Sequence, residues 1–149
     1  MSTVATLYDQ DFYAWALKNA ELLRQGQLSE IDVTNVAEEL ESMGRSEWYE
    51  LVDRLAVLLA HLLKWQVQKE RRHLYEHSWR STIAEQRRRV TRRLQKSPSL
   101  KYGIEETLAE AYGDAVIKAM RQPRLDRQAF PATCPFTLEQ ILDSEFWPD

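Results

Sequence analysis

The stretch LAVLLAHLL, residues 55–63, decides the fold. Eight of its nine residues are apolar, so a helix through it has no polar face and belongs in the centre of a larger core or in a membrane. Asp53 and Arg54 precede the run and Lys64 follows it, which leaves it too short to span a bilayer. We therefore expect a helix over residues 46–70 at the centre of a helical core.

Further helices are predicted around this central one. Asp9, Asp32 and Ser46 are the expected N-caps of the first three helices. Gly26 is expected to end the first helix, and Gly44 is expected to end or bend the second. The predicted helical ranges are about 9–25, 32–44, 46–70, 78–96, 97–122 and 137–142. No run of residues alternates with period two between turn residues. The predicted fold class is all-α, a single-domain bundle of five or six helices over residues 1–149, as the chain length also favours.

The two ends of the chain are predicted to differ from the bundle. Residues 1–8 are expected to be loose. Residues 123–136 hold three of the five prolines and indicate an extended connection. Thr137 and Gln140 have the spacing of a capping box, which starts a short last helix. Phe146 and its neighbour Trp147 follow, and we expect both rings to dock on the bundle.

Charge is unevenly distributed along the chain. The total is −3, but the net charge is −7 over residues 1–63, +8 over residues 64–96 and −4 over residues 97–149. Such asymmetry indicates either an interaction surface or acidic helices packed beside a basic one, and we favour the second explanation. The candidate interaction surface consists of Arg80, Arg87, Arg88, Arg89, Arg92, Arg93 and Lys96.

The expected partners of this surface are acidic. A guanidinium group matches carboxylate and phosphate geometry, so both proteins and nucleic acids are candidates. The sequence has a pI of about 5.7 and no recognisable helix-turn-helix motif. Both observations favour a protein partner over a nucleic acid. We expect a non-enzymatic protein-interaction module, with a second copy of the chain among its candidate partners. The alternative is a nucleic-acid-binding or regulatory module that uses residues 80–96.

Metal-binding patterns are incomplete. A di-iron bundle needs two Glu-x-x-His pairs on different helices, and Glu70 with His73 forms a single such spacing. His73 and His77 are four residues apart and could share a helix face, but no second ligand pair accompanies them. His61 lies in the apolar run and is expected to be a buried histidine with one hydrogen bond. We therefore expect no metal and no cofactor.

Catalytic patterns are equally sparse. Cys134 lies on the proline-rich connection, away from a helix N-terminus that would lower its pKa. Glu38 and Glu39 point about 100° apart on a helix, so they do not share a site. The single cysteine cannot form an internal disulfide, and the chain contains no secretory or transmembrane pattern. We expect no catalytic residues, no membrane association and a cytoplasmic location.

Four segments together carry a family resemblance. They are LYDQDFYAWALKNAELLRQGQLSEIDVTNVAEELESMGRSEWYELVDRLAVLLAHLLKW (residues 7–65), SWRSTIAEQRRRV (78–90), SPSL (97–100) and CPFTLEQILDSEFWP (134–148). This combination is similar to the bacterial domain-of-unknown-function family numbered twenty-nine. The resemblance implies an all-helical fold, and it implies no activity.

Overall fold

The structure, a computed structural model, describes residues 4–149 and is all-helical over them. It is 78% helical and has no strand in that range, which confirms the predicted fold class. Its six α-helices are α1 (Val4–Gln10), α2 (Phe12–Arg24), α3 (Val33–Val67), α4 (Arg72–Lys96), α5 (Ile104–Ala119) and α6 (Leu138–Leu142). Within this range no helix has both the length and the apolar character that crossing a membrane requires.

The chain divides into two compact units, Met1–Glu47 and Trp48–Asp149. The boundary falls inside α3. The prediction of one helical domain over residues 1–149 stays a prediction.

The first unit begins earlier than expected. Residues 4–8 belong to α1, so the expectation of a loose segment is wrong for them, and residues 1–3 lie outside the described residues. The physical reason is aromatic packing, since the Tyr8 ring lies 4.9 Å from the Trp15 ring. Asp9 lies inside α1, and Asp11 caps α2 instead, accepting a hydrogen bond of 3.0 Å from the Ala14 amide. Gly26 follows the end of α2 with φ of 72°, which confirms its predicted role in ending the helix.

Helix α3 is continuous where a break was expected. Gly44 lies in its interior, and the Ser46 hydroxyl donates to the Ser42 carbonyl at 3.0 Å instead of capping a new helix. Arg45 forms ion pairs with Glu38 at 3.1 Å and with Glu41 at 3.7 Å. These pairs link both sides of the glycine and help the helix to continue. The central helix therefore begins at Val33, not at residue 46.

The core of the second unit is built on α3. The α3 leucines at positions 51, 55, 58, 59, 62 and 63 are fully buried, which confirms the central role predicted for the apolar run. Helix α4 adds Ile83 and Val90, and α5 adds Ala115 and Val116 to the same cluster.

The connections around α4 and α5 differ from prediction. The connection between the predicted helices 46–70 and 78–96 lies earlier, in the short 3₁₀ segment Lys69–Arg71, and α4 starts at Arg72 rather than near residue 78. Residues Pro98–Lys101 form another 3₁₀ turn, so α5 starts at Ile104. Gly103 precedes it in the left-handed region, with φ of 68°, a conformation that glycine adopts without strain.

The C-terminal segment ends on the second unit. The Gln140 amide donates to the Thr137 hydroxyl at 3.2 Å, and the Thr137 amide donates to the Gln140 side chain at 3.0 Å, so the capping box is present. The Trp147 ring lies 4.6 Å from the Trp65 ring. Both aromatic residues of the tail are partly buried against the core.

Candidate interaction surface on the basic helix

Helix α4 presents one narrow side to the core. This side is a stripe of buried apolar residues, Trp79, Ile83, Val90 and Leu94. The seven cations of the predicted interaction surface do not form one uniform surface, because their immediate neighbours differ.

Arg87 is a structural residue. Its side chain is buried, with 5% relative exposure, so it does not belong to the exposed surface on which the sequence placed it. Its Nε donates to the Ile141 carbonyl at 2.8 Å, and one Nη donates to the Phe146 carbonyl at 2.7 Å. Burial lowers the pKa of Arg87, and the nearby Asp143 carboxylate opposes this effect. The guanidinium therefore holds the C-terminal segment against α4.

Arg80 lies among aromatic rings. Its guanidinium carbon is 4.9 Å from the Trp65 ring centre and 4.5 Å from the Trp147 ring centre. Its Nε forms an ion pair with Glu76 at 3.1 Å. Such stacking is attractive because the ring face is electron-rich, so Arg80 already has aromatic and acidic partners within the protein.

Arg88 and Arg89 share one carboxylate. Arg88 lies 2.6 Å and Arg89 lies 2.7 Å from Glu85. The hydrogen bond from Arg89 lowers the pKa of Glu85, assisted by the charges of both arginines and opposed by desolvation. The single Glu85 carboxylate therefore neutralises only part of the charge of the two arginines.

The C-terminal end of α4 holds the remaining cations. Arg93 lies 3.7 Å from Glu50, and the same carboxylate accepts a 2.9 Å hydrogen bond from Arg54. Arg92 and Lys96 have no ion pair within the described residues and are exposed. These two cations are thus available to another molecule.

A concave surface collects these charges, and we call it the basic hollow. It has a volume of about 370 Å³. Its lining residues are Glu50, Arg54, Glu85, Arg88, Arg89, Arg92, Arg93 and Lys96. Six cations therefore face two carboxylates. The contribution of Glu50 and Arg54 from α3 was not predicted, although their spacing of four residues is the usual one for an ion pair on a helix.

A second concave surface, the apolar hollow, adjoins the first. It has a volume of about 420 Å³, and Arg88 and Arg92 line both hollows. Its lining includes the apolar side chains of Ala84, Leu142 and Trp147. The two arginines therefore stand between a charged surface and an apolar one, an arrangement that suits a partner with both acidic and apolar groups.

Comparison with known proteins identifies the family. The family model described as "Domain of unknown function DUF29" matches residues 7–147, nearly the whole chain. The chain belongs to this family. It matches no curated protein and no solved structure.

The histidines of this DUF29 chain lie apart from the basic hollow. His73 and His77 are exposed near the start of α4. His61 is half-buried, and its Nδ1 lies 2.9 Å from the Val57 carbonyl. Burial lowers its pKa, a change that the Val57 hydrogen bond opposes. In the described part of the chain, no group of three or more histidine, cysteine or acidic side chains has an arrangement that could hold a metal ion.

Two further residues considered in the sequence have local partners. Cys134 is half-buried, its thiol donates to the Phe136 carbonyl at 3.4 Å, and burial raises its pKa, so the thiolate is disfavoured. Glu39 accepts a hydrogen bond from the Tyr8 hydroxyl. This bond, with desolvation and nearby acidic charge, raises the pKa of Tyr8 to about 12.

Proposed function

We propose that this DUF29 protein is a non-enzymatic protein-interaction module that binds acidic protein surfaces through the basic hollow. The observation that carries the proposal is the charge of the hollow, in which six cations face two carboxylates. Arg92 and Lys96 have no ion pair in the part of the chain that the structure describes. An acidic partner would supply the missing negative charge.

The surroundings of the basic hollow favour protein over nucleic acid. Arg88 and Arg92 also border the apolar hollow, where apolar side chains of a protein partner would be buried. A nucleic-acid or regulatory role for residues 80–96 remains the second candidate, supported by the arginine content of α4.

A second copy of the chain is the partner that we propose. Residues 1–47 carry a net charge of −6, which complements the basic hollow. The same unit exposes large apolar side chains, namely Tyr13, Leu28, Val33, Leu40 and Met43. Association between the first unit of one copy and α4 of another would pair opposite charges and cover apolar surface.

Sedimentation of the purified protein tests self-association. We expect wild type to form dimers or larger species at low salt and to dissociate at high salt, because screening weakens exposed ion pairs. The double variant Arg88→Glu, Arg92→Glu should remain monomeric at both salt concentrations. The matched control is Arg121→Glu, Arg124→Glu, which makes the same charge change at two exposed arginines outside both hollows.

Each outcome separates the candidates. A wild-type protein that is monomeric at every concentration and salt, or a control variant that dissociates as the test variant does, overturns self-association through α4. A gel-shift assay with duplex and single-stranded DNA runs in parallel. Salt-sensitive DNA binding that only the Arg88→Glu, Arg92→Glu variant loses, without any change in sedimentation, would establish the nucleic-acid candidate instead.

We also propose that the protein acts in the bacterial cytoplasm. The support is its single cysteine, which cannot form an internal disulfide and fits a reducing compartment. Fractionation of source cells should recover the protein with a cytoplasmic marker enzyme. Recovery with periplasmic or secreted proteins would contradict this location.

A further inference from the structure

A separate cavity lies where α3 ends and α4 begins, and we call it the Gln68 cavity. It has a volume of about 230 Å³ and shares no lining residue with the basic hollow. The residues relevant to binding are His61, Lys64, Gln68, Arg71, Tyr75 and Ser78. The last two turns of α3, the short connection that follows and the first turns of α4 thus supply a set of polar groups to one small space.

Gln68 is the most informative of these residues. Its side chain is 4% exposed, and neither Nε2 nor Oε1 has a hydrogen-bond partner within the described residues. Buried polar atoms are nearly always paired, because leaving them unpaired destabilises the fold. Gln68 lines the cavity, and an amide with a free donor group and a free acceptor is suited to a ligand that has both an acceptor and a donor.

The cavity is also positively charged. Lys64 is half-buried, and burial lowers its pKa. Arg71 is the second cation, and one Nη donates to the Tyr75 hydroxyl at 3.2 Å. Among the described residues that line the cavity none is acidic, and Lys64 has no ion pair there. Two cations without a carboxylate between them favour an anionic ligand.

His61 adds an acceptor rather than a charge. Its Nδ1 faces the Val57 carbonyl at 2.9 Å, so Nδ1 carries the proton and Nε2 is the acceptor. Burial lowers the pKa of His61, which keeps the ring neutral near pH 7. The volume is below the usual range for drug-sized ligands and suits a small metabolite.

We propose that the Gln68 cavity binds a small hydroxycarboxylate. The carboxylate pairs with Lys64 and Arg71 and accepts from the Gln68 Nε2 group, while the hydroxyl donates to Gln68 Oε1 or to His61. This site is independent of the basic hollow, and its occupancy would affect the end of α3 and the start of α4.

The experiment titrates the whole protein with L-lactate, L-malate and citrate, which form a size series. Succinate is the control without a hydroxyl, and L-malamide is the control without a negative charge. Binding is followed by NMR of the Gln68 side-chain amide and by thermal unfolding, since a ligand that binds only the folded state raises the melting temperature. We expect at least one acid of the series to shift the Gln68 resonances, and both controls to bind about tenfold more weakly or not at all.

Matched variants assign the binding to this cavity. Gln68→Met should abolish binding and raise the melting temperature of the free protein, because it removes an unpaired buried amide while keeping its approximate volume. Lys64→Met should also abolish binding. The neighbouring substitutions Gln66→Met and Lys69→Met, outside the lining of the cavity, should bind as wild type does.

Several results would overturn the proposal. They are an absence of binding by all three acids at millimolar concentration, undiminished binding by Gln68→Met or Lys64→Met, and equal binding of L-malamide and L-malate. A Gln68→Met variant that melts below wild type would show that the amide has a structural partner in solution, and it too would contradict the proposal.

Discussion

The two units of the chain are stabilised in different ways. In the second unit, α3, α4 and α5 bury leucine, isoleucine, valine and alanine in one cluster. In the described part of the first unit, the buried side chains are those of Trp15, Asn19 and Leu22. Apolar residues are present in both units, but only the second unit encloses most of them. A sequence rich in apolar residues therefore does not by itself indicate a large core.

The first unit depends instead on a polar network. The Trp15 Nε1 donates to the Asp32 carboxylate at 2.8 Å, the Asp32 amide donates to the Asn19 side chain at 2.9 Å, and Asn19 donates back to the Trp15 carbonyl at 2.9 Å. These bonds hold the start of α3 against α2. We expect the first unit to be more sensitive to pH and the second unit to be more sensitive to cavities.

The largest expected effect is that of a cavity in the second unit. Leu59 is 0% exposed, whereas Leu40 in the first unit is 62% exposed. Leu59→Ala should destabilise the protein by about 2–5 kcal/mol, because it removes buried methyl groups and leaves a void. Leu40→Ala makes the same chemical change and should alter the unfolding free energy by less than about 0.5 kcal/mol.

Denaturant unfolding followed by circular dichroism measures both free energies. Equal changes in unfolding free energy for Leu59→Ala and Leu40→Ala would contradict the inference that only the second unit has a large apolar core. A large effect of Leu40→Ala alone would show that the first unit encloses more apolar surface than its exposed residues indicate.

An intermediate effect is expected at Arg87. Arg87→Ala leaves the Ile141 and Phe146 carbonyls without their donor, and an unpaired buried acceptor costs about 1–3 kcal/mol. Arg88→Ala is the matched control on the exposed side of the same helix and should change stability by less than about 1 kcal/mol. Thermal unfolding ranks the two variants, and proteolysis should release the C-terminal segment faster in Arg87→Ala. Equal melting temperatures and cleavage rates would show that Arg87 does not hold this segment.

The sequence predicts the core correctly where the spacing of apolar residues determines which side chains are buried. The apolar residues of the run 55–63 and of the α4 stripe lie in the core. Their helical spacing places them on a face that is stable only when other helices cover it. Local signals were less reliable, since Gly44 and Ser46 resembled a helix boundary while ion pairs across the glycine support a continuous α3. Glycine is tolerated in a helix when neighbouring contacts offset its cost.

The site was less predictable than the fold. The ion pairs of Arg88 and Arg89 with Glu85 follow from helical spacing. The burial of Arg87 depends on carbonyls more than fifty residues further along the chain, and no local pattern indicates them. The Gln68 cavity likewise could not be predicted from the sequence. Its polar residues are common at helix ends, and only the tertiary structure brings them around one space.

The smallest expected effect is that of Asp32, and it is specific to the first unit. Desolvation acts to raise the pKa of Asp32, but hydrogen bonds from Asn35 and Trp15 outweigh it, so the pKa is lowered. A carboxyl group with a lower pKa in the folded state stabilises the fold above its unfolded pKa of about 4. That stabilisation is lost as the pH falls through the folded value. Asp32→Ala also removes an N-cap and should destabilise by about 1 kcal/mol near pH 7.

Melting temperatures of wild type and Asp32→Ala between pH 7 and pH 3 measure this contribution. The difference should be constant near neutral pH and should shrink below about pH 4, where the carboxylate of wild type becomes protonated. Asp53→Ala is a matched control on α3 in the second unit, since the Asp53 carboxylate accepts no hydrogen bond from the residues that the structure describes. A difference for Asp32→Ala that is independent of pH would show that capping geometry, and not the charge of Asp32, stabilises the start of α3. The Asp32 carboxylate would then contribute no pH dependence to the first unit, and the expected difference in pH sensitivity between the two units would be wrong.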